Sequence, residues 1–165
     1  MAIVASTLAV AGVAKVIEPR DARALLVRVG LRLPATVVRV IGLAEVAVAL
    51  TVVVEGGRFP AALLAAAHGA FVVVVLVARR GGDVACGCFG ARSTAPPGVV
   101  HLAANVASIA VALAAVARPT QPLDLLNRTT VGGGVAAVAV VAVGTWLLVA
   151  VYTDGAEAAH AARRM

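Results

Sequence analysis

The chain has 165 residues, of which 62% are hydrophobic and 13% are charged, and its mean hydropathy is +1.03. A soluble domain is about 45–50% apolar and about 25% charged, so this composition excludes most soluble folds, and it excludes a disordered chain as well. The net charge is +6, but the arginines interrupt apolar runs instead of lining one continuous face, which argues against a nucleic-acid partner. The length fits one domain, and two cysteines are too few for a disulfide framework.

Five apolar segments are predicted to cross a membrane as helices. Each is bounded by Gly, Pro or charged residues, which mark its ends. A bilayer core requires roughly 20 helical residues, and a lone strand in lipid would leave its amides unpaired. We predict an all-α polytopic domain over residues 1–152, with four helices in a bundle, a fifth appended helix and a short polar tail at 153–165. Membrane lipid is then a partner. The segments cover about residues 2–17, 35–54, 60–78, 99–117 and 131–152.

The first segment also has an alternative interpretation. Ala9-Val10-Ala11 resembles a signal-peptide cleavage site, although no basic region precedes it and no soluble domain follows it. Buried helices of a large soluble protein are disfavoured, because a chain of this length could not cover five such helices with its own polar surface.

The basic residues predict the topology. The side reached after the first segment holds ten of them, namely Lys15, Arg20, Arg23, Arg28, Arg32, Arg79, Arg80, Arg92, Arg163 and Arg164, and the other side holds Arg58, Arg118 and Arg128. Because cytoplasmic loops carry the excess of Lys and Arg, this bias places the N-terminus outside a bacterial plasma membrane. Trp146 and Tyr152 are expected at the cytoplasmic interface, and the stretch 20–32 is expected to lie on anionic lipid as a short amphipathic helix.

Two cysteines lie in the loop before the fourth segment, in the run Cys86-Gly87-Cys88-Phe89-Gly90. Thiols one residue apart can close a small, strained disulfide, and strain makes such a bond labile. This spacing favours Cys86 and Cys88 as an exchanging or sensing pair. Two reduced cysteines in a buried turn remain an alternative. A metal site is a weaker one, because it needs further ligands such as His101 and Asp83.

Three groups near the cysteine loop are predicted to support thiol chemistry. Lys15 ends the first segment, Arg39 lies about one turn inside the second, and His101 is in the first turn of the fourth. A nearby cation lowers the pKa of a thiol and raises the thiolate fraction. The alternative is that Lys15 and Arg39 extend to lipid headgroups and that His101 makes an interfacial hydrogen bond.

Among the residues inside the predicted membrane helices, Glu45 most strongly indicates a specific role. Placing a lone carboxylate in the middle of a membrane helix costs free energy unless it is protonated or paired. His68 lies at similar depth in the third segment, so we predict a contact between the two, as a clasp or a proton relay. His101, Asn105 and Ser108 share one face of the fourth segment, which is predicted to face the bundle interior. That face could tie helices together or hold a headgroup or a quinone, and no resident metal is predicted.

These motifs follow one another in an order that resembles the MauE family of methylamine-utilisation membrane proteins, which are related to the DoxX-like four-helix proteins. The residues that carry the resemblance are Lys15-Val16-Ile17-Glu18-Pro19-Arg20, Leu33-Pro34, Glu45 and Cys86-Gly87-Cys88-Phe89-Gly90. It covers roughly residues 1–117. Two positions depart from the family pattern, with Glu18 in place of an Asp and His101 with Asn105 in place of an Arg-Asn pair.

The resemblance implies an inner-membrane protein that assists maturation of a disulfide-rich periplasmic methylamine dehydrogenase subunit beside a thioredoxin-like partner. Disulfide formation for secreted proteins belongs on the oxidising face, whereas the charge bias places Cys86 and Cys88 in the cytoplasm. Two functions therefore remain open. One is a thiol–disulfide oxidoreductase component acting on a redox partner or a client protein, and the other is a non-catalytic membrane scaffold or transport accessory.

Overall fold

The computed structural model describes residues 1–81, 98–119 and 130–162, and the secondary structure within these ranges is entirely helical. We number seven α-helices in chain order, with a short 3-10 turn at Arg79–Gly81 after the fourth and a π-helical turn at Val151–Gly155 after the sixth. The helices are α1 Ala2–Ile17, α2 Pro19–Arg28, α3 Ala35–Val54, α4 Arg58–Ala78, α5 Val99–Ala117, α6 Val131–Ala150 and α7 Ala156–Ala162.

All five predicted apolar segments are helical, which confirms a multi-pass helical membrane protein. Four helices are individually long and apolar enough to span a bilayer: α3, α4, α5 and the continuous run of α6 with its π-turn. The first segment reaches this length only together with α2, from which it is bent by 96°. The fifth segment continues beyond residue 152, because the π-turn carries the helix directly into α7.

The bend between α1 and α2 lies at Glu18-Pro19. Proline lacks the amide hydrogen that would continue α1, but it fits the first turn of a new helix, so one helix ends and another begins there. The buried face of α2 carries Ala22 and Leu25, and Leu25 packs on Ala78 at the end of α4. The helix expected on the membrane surface therefore crosses one end of the bundle, with its arginines exposed.

α1 and α3 cross with their backbones in close contact, and they run antiparallel. A methyl group built on Gly12 would lie 2.6 Å from the carbonyl oxygen of Gly42, and one built on Gly42 would lie 2.5 Å from the carbonyl oxygen of Gly12. Only glycine permits this approach, as is common where helices pack in membranes.

The bundle interior is divided into an apolar half and a polar half. The apolar half, at the end where α1 begins, is built around Leu8, Val52, Leu64 and Ala112. Toward the opposite end, α4 and α5 pack side by side, and polar residues replace this aliphatic core. α4 ends and α5 begins at that opposite end, and residues 82–97, which include both cysteines, lie between them in the sequence.

α6 is attached to the outside of the bundle and buries none of its own side chains. Gly144 receives Ile3 of α1, and the following π-turn buries Tyr152, which is 4% exposed. Trp146 is 68% exposed, as an interfacial or lipid-facing ring would be. The Tyr152 ring packs on His101 inside the bundle, with 5.8 Å between ring centroids, and its depth in the membrane stays a prediction.

Candidate functional site

The polar half of the bundle contains two adjoining side-chain clusters, which we call the ion-pair cluster and the histidine cluster. The ion-pair cluster consists of Lys15, Glu45 and Phe71, and the histidine cluster consists of His68, His101 and Asn105. Apart from Phe71, all of these side chains belong to residues that are 7% exposed or less. They come from α1, α3, α4 and α5, so the site requires four helices to be packed together.

Lys15 and Glu45 form a buried ion pair, with 2.8 Å between Lys15 Nζ and Glu45 Oε2. Lys15 Nζ also lies 3.4 Å from the carbonyl oxygen of Ala11, one turn back along α1. The ammonium therefore points toward the bundle interior, although a lysine at a helix end in a membrane commonly extends to the headgroups. In a low-dielectric interior, each charge offsets the cost of burying the other.

The glycine crossing brings this pair together. Each charged residue follows its glycine at the same interval, in Gly12-Val13-Ala14-Lys15 on α1 and Gly42-Leu43-Ala44-Glu45 on α3. Because the helices run antiparallel through Gly12 and Gly42, both charged side chains emerge at the crossing. The methyl group built on Gly12 would lie 3.1 Å from the Cβ of Glu45, and the one built on Gly42 would lie 3.0 Å from the Cβ of Lys15.

Phe71 links the two clusters. Lys15 Nζ lies 4.9 Å from the centroid of the Phe71 ring, within the range of a cation–π contact. The Phe71 ring also contacts His68, with 5.9 Å between the ring centroids and an angle of 75° between the ring planes. Phe71 therefore contacts both the lysine of the charged pair and the imidazole of His68.

The histidine cluster is connected by hydrogen bonds. His68 Nδ1 lies 3.0 Å from Asn105 Oδ1, and Asn105 Nδ2 donates to the carbonyl oxygen of His101 at 2.8 Å. At the start of α5, the backbone N–H of Gly98 donates to His101 Nδ1 at 3.3 Å. Ser108 is also buried, so the prediction that His101, Asn105 and Ser108 face the bundle interior is confirmed.

The predicted contact between Glu45 and His68 is wrong. The carboxylate is bonded to Lys15 and the imidazole to Asn105, and Phe71 lies next to both Lys15 and His68. Matched depth could not reveal this, because depth does not specify which side of a helix faces which neighbour. The sequence did contain a pattern that indicates the observed pairing. Two four-residue runs share the order Gly-x-Ala-charged, and one ends in Lys15 and the other in Glu45.

Arg39 occupies a different environment from Lys15. Its side chain is exposed, and its Nε donates to the carbonyl oxygen of Val16 at 3.2 Å in the last turn of α1. It thus satisfies one of the carbonyls that a helix end leaves unpaired. Cys86 and Cys88 lie outside the described residues, as does Asp83, so the predicted proximity of Lys15, Arg39 and His101 to the thiols remains a prediction.

Two cavities adjoin the polar residues. The lateral cavity has a volume of about 340 Å³ and lies between α2, α3 and α4, and Lys15 and Glu45 are the polar residues of its otherwise apolar wall. Its size is at the lower end of the range for ligand pockets. The two-histidine cavity, lined by His68, His101, Asn105 and Tyr152 among others, has only about 20 Å³. It is too small for a quinone ring or a headgroup, and the contact between His68 and Asn105 joins α4 to α5 beside it.

Metal binding gains no support from the described residues, in which no group of three His, Cys, Asp or Glu side chains is placed to hold an ion.

In comparisons with known proteins, the chain matches the model of a family described as methylamine utilisation protein MauE, over residues 1–118. Searches of the curated proteins and of the solved structures found no match. The matched region contains α1 to α5 and both cysteines, whereas α6 and α7 lie beyond it.

Proposed function

The chain belongs to the MauE family, and on that basis we propose that this multi-pass membrane protein is a thiol–disulfide component that assists maturation of a partner protein. Cys86 and Cys88 are the exchanging pair. The partner is a thioredoxin-like redox protein or a disulfide-containing client. Methylamine metabolism is the context that the family description suggests.

The observation that supports this proposal is that α4 and α5, the helices that flank the cysteine segment in the sequence, pack against each other. The segment leaves the end of α4 and re-enters at Gly98, one turn before His101, and α4 and α5 pack along each other through His68 and Asn105. The two helices that flank the cysteines in the sequence are thus held together by their own contacts. An exchanging pair requires such a support.

The exchange step conserves bonds and electrons. A thiolate of the pair attacks a disulfide of the partner, so that one S–S bond breaks as a mixed disulfide forms, and the second cysteine then displaces the partner. The pair is oxidised to a disulfide, the partner's disulfide is reduced to a dithiol, and the two thiol protons pass to the partner's sulfurs. The reverse sequence donates a disulfide to a client.

The test uses the fact that the chain contains no cysteine other than Cys86 and Cys88. The purified protein in lipid nanodiscs is equilibrated in glutathione buffers, and free thiols are counted by a maleimide gel shift. We expect reversible conversion at a reduction potential above about −300 mV, since structural disulfides lie below that value. Cys86→Ser and Cys88→Ser should each abolish the conversion. Thiols that stay reduced in every buffer would refute the exchange function.

Sidedness is part of the proposal, which places the protein in the plasma membrane with its N-terminus outside. Lys15 is neutralised by Glu45 inside the bundle, but the remaining basic residues still favour a cytoplasmic location for the end that carries the cysteine segment. In intact cells, a membrane-permeant maleimide should label Cys86 and Cys88, and an impermeant one should not. Labelling by the impermeant reagent would reverse the topology and place the pair on the oxidising face.

A non-catalytic membrane scaffold is the second candidate, and the ion-pair cluster favours it. The Lys15 ammonium is bonded to Glu45 inside the bundle, so in this arrangement it acts as a clasp between helices. The scaffold predicts normal partner maturation in the Cys86→Ser/Cys88→Ser double variant and failure in variants that separate α1 from α3. The exchange function predicts failure in both.

A further inference from the structure

The lateral cavity lies in a gap between α3 and α4. These helices are joined by residues 55–57, and near that connection Val52 and Leu64 pack in the same core cluster. Overall α3 and α4 make few contacts with each other, whereas α3 packs closely on α1 and α4 packs closely on α5. The bundle thus consists of two tight helix pairs, and the cavity of about 340 Å³ separates them on the side of α2.

The cavity has the length of a lipid chain in one leaflet. Its wall on α3 runs over ten residues from Val38 to Val48, which at about 1.5 Å per residue is about 15 Å along the helix. The hydrocarbon core of a bilayer is about 30 Å thick, so one leaflet contributes about half of that length. Ala22 and Leu25 of α2 close one end. A long, narrow cavity of this kind fits an extended hydrocarbon chain better than a compact ligand.

The cavity opens sideways onto the outer surface of the bundle. Ile41 and Ala44 on α3 and Ala70 on α4 line it and are exposed, whereas Val38 and Leu25 at the α2 end are buried. Both α3 and α4 are long and apolar enough to span a bilayer, so the surface between them faces hydrocarbon. An occupant therefore enters from the lipid and not from water.

The charged residues of the cavity wall are engaged with protein groups. Lys15 Nζ lies near Glu45 Oε2, the carbonyl oxygen of Ala11 and the Phe71 ring, which are three partners for the three N–H bonds of an ammonium group. The other lining residues are apolar. A polar group that is buried without a partner costs free energy, so this wall suits a hydrocarbon chain better than a ligand with a polar ring substituent.

Two arginines border the α2 end of the cavity. Arg28 comes three residues after Leu25, so the two lie on the same side of α2, and Leu25 lines the cavity. Leu25 also packs on Ala78 of α4, which Arg79 follows directly. Arg28 and Arg79 are both exposed. Basic residues beside an apolar pocket between membrane helices are typical of sites that bind the headgroups of anionic lipids.

We infer that the lateral cavity binds one anionic glycerophospholipid, with an acyl chain along α3 and its phosphate at Arg28 and Arg79. The acidic residues of α2 and its cap, Glu18 and Asp21, lie at the start of that helix, about two turns or more from Arg28, so they oppose the phosphate only weakly. The lipid links α2 to α4, two helices that make few contacts of their own. This binding site is separate from the proposed thiol exchange.

The first test compares ligands on the unmodified full chain. Purified protein in detergent is titrated with palmitoyl-oleoyl phosphatidylglycerol, with phosphatidylcholine of the same chains and with glycerol phosphate, and bound molecules are counted by native mass spectrometry. We expect one phosphatidylglycerol per chain, bound about tenfold or more tightly than the other two. Equal binding of the two lipids, equal binding of glycerol phosphate, or preferential binding of a neutral quinone would each overturn the proposal.

The second test locates the headgroup. Arg28→Gln/Arg79→Gln should weaken binding of phosphatidylglycerol about tenfold and leave binding of phosphatidylcholine unchanged. The matched control is Arg58→Gln/Arg118→Gln, which removes two exposed arginines where α4 begins and α5 ends, at the other end of the bundle. It should bind phosphatidylglycerol as the unmodified protein does. Equal losses in the two double variants, or no loss in the first, would place the phosphate elsewhere and overturn the site.

The third test locates the acyl chain. Ala70→Phe places a ring in the mouth of the cavity, whereas Ala66→Phe places it at an exposed position of α4 outside the cavity wall. Ala70→Phe should weaken phosphatidylglycerol binding about tenfold, as the loss of two buried methylene groups would, and Ala66→Phe should not. Unchanged binding in Ala70→Phe would overturn the site. Circular dichroism checks folding, and Ala44→Phe, on the α3 wall, replaces Ala70→Phe if that variant misfolds.

Failure of the proposed function remains distinguishable from failure of this inference. None of the lipid titrations involves Cys86 or Cys88, and the thiol equilibration does not involve Arg28 or Arg79. If the thiols stay reduced while phosphatidylglycerol binds as expected, the lipid site stands and the exchange function falls. If the thiols exchange while the two lipids bind equally, the exchange function stands and the lipid site falls.

Discussion

Gly12 and Gly42 face each other across the α1–α3 crossing so closely that a methyl group on either would lie within 2.6 Å of the other's carbonyl oxygen. This contact sets the separation of the two helices at the level where Lys15 meets Glu45. A wider crossing would pull the ammonium and the carboxylate apart. The stability of the ion pair and the packing of the glycines are thus expected to be coupled.

Gly12→Ala and Gly42→Ala should each destabilise the protein by about 1–3 kcal/mol, the usual cost of overpacking a tight contact. Gly69→Ala in α4 is the matched control, because a methyl group there would have no atom within 4 Å. It should be neutral or stabilise by up to about 1 kcal/mol, since alanine favours helix more than glycine does. Unfolding by SDS in detergent micelles measures these changes. Equal effects of Gly12→Ala and Gly69→Ala would contradict the close crossing.

Removing one partner of the buried ion pair should be costly. Lys15→Met leaves the Glu45 carboxylate unpaired, and Glu45→Gln leaves the ammonium unpaired, so each is expected to cost about 3–5 kcal/mol. The double variant should lose clearly less than the sum, which a double-mutant cycle of unfolding free energies detects. The exposed Glu55, at the end of α3, provides the control, and Glu55→Gln should stay within about 0.5 kcal/mol. Additive losses would mean that the pair does not form.

The histidine cluster should behave as a unit separate from Glu45. His68→Gln and Asn105→Ala should show a coupling of about 0.6–2 kcal/mol, as polar contacts between membrane helices do. His68→Gln and Glu45→Gln should be additive within about 0.5 kcal/mol, because their side chains share no hydrogen bond. Strong coupling between His68 and Glu45 would restore the pairing that the structure contradicts.

Two aromatic residues near the end of α6 should respond differently to truncation. Tyr152 is buried against His101, so Tyr152→Ala is expected to cost about 3–5 kcal/mol. Trp146 is exposed on the outer face, so Trp146→Ala should change stability in micelles by less than about 0.5 kcal/mol. Thermal melting followed by circular dichroism checks both. A larger loss for Trp146→Ala would mean that α6 packs on the bundle through its other face.

Local sequence was sufficient for the helices. Each apolar segment is long, bounded by Gly, Pro or charge, and confined to one conformation by lipid, where only a helix pairs its own backbone groups. The bend at Pro19 and the interior face of α5 follow from equally local rules, a missing amide hydrogen and a spacing of three to four residues. The family resemblance rested on short motifs, and the match over residues 1–118 confirms it.

Partner choice required the tertiary structure. Glu45 could have met any polar group at its depth, and it meets Lys15 because two glycines bring α1 and α3 into contact. His68 is bonded to Asn105 instead. The contact between the Tyr152 ring and His101 likewise depends on how the π-turn packs on α5. The sequence by itself determined which segments are helical and which residues are costly in lipid, since both depend on neighbours along the chain. Which of these polar residues pair with one another depends on the rotation and separation of the helices, and only the packed bundle fixes those.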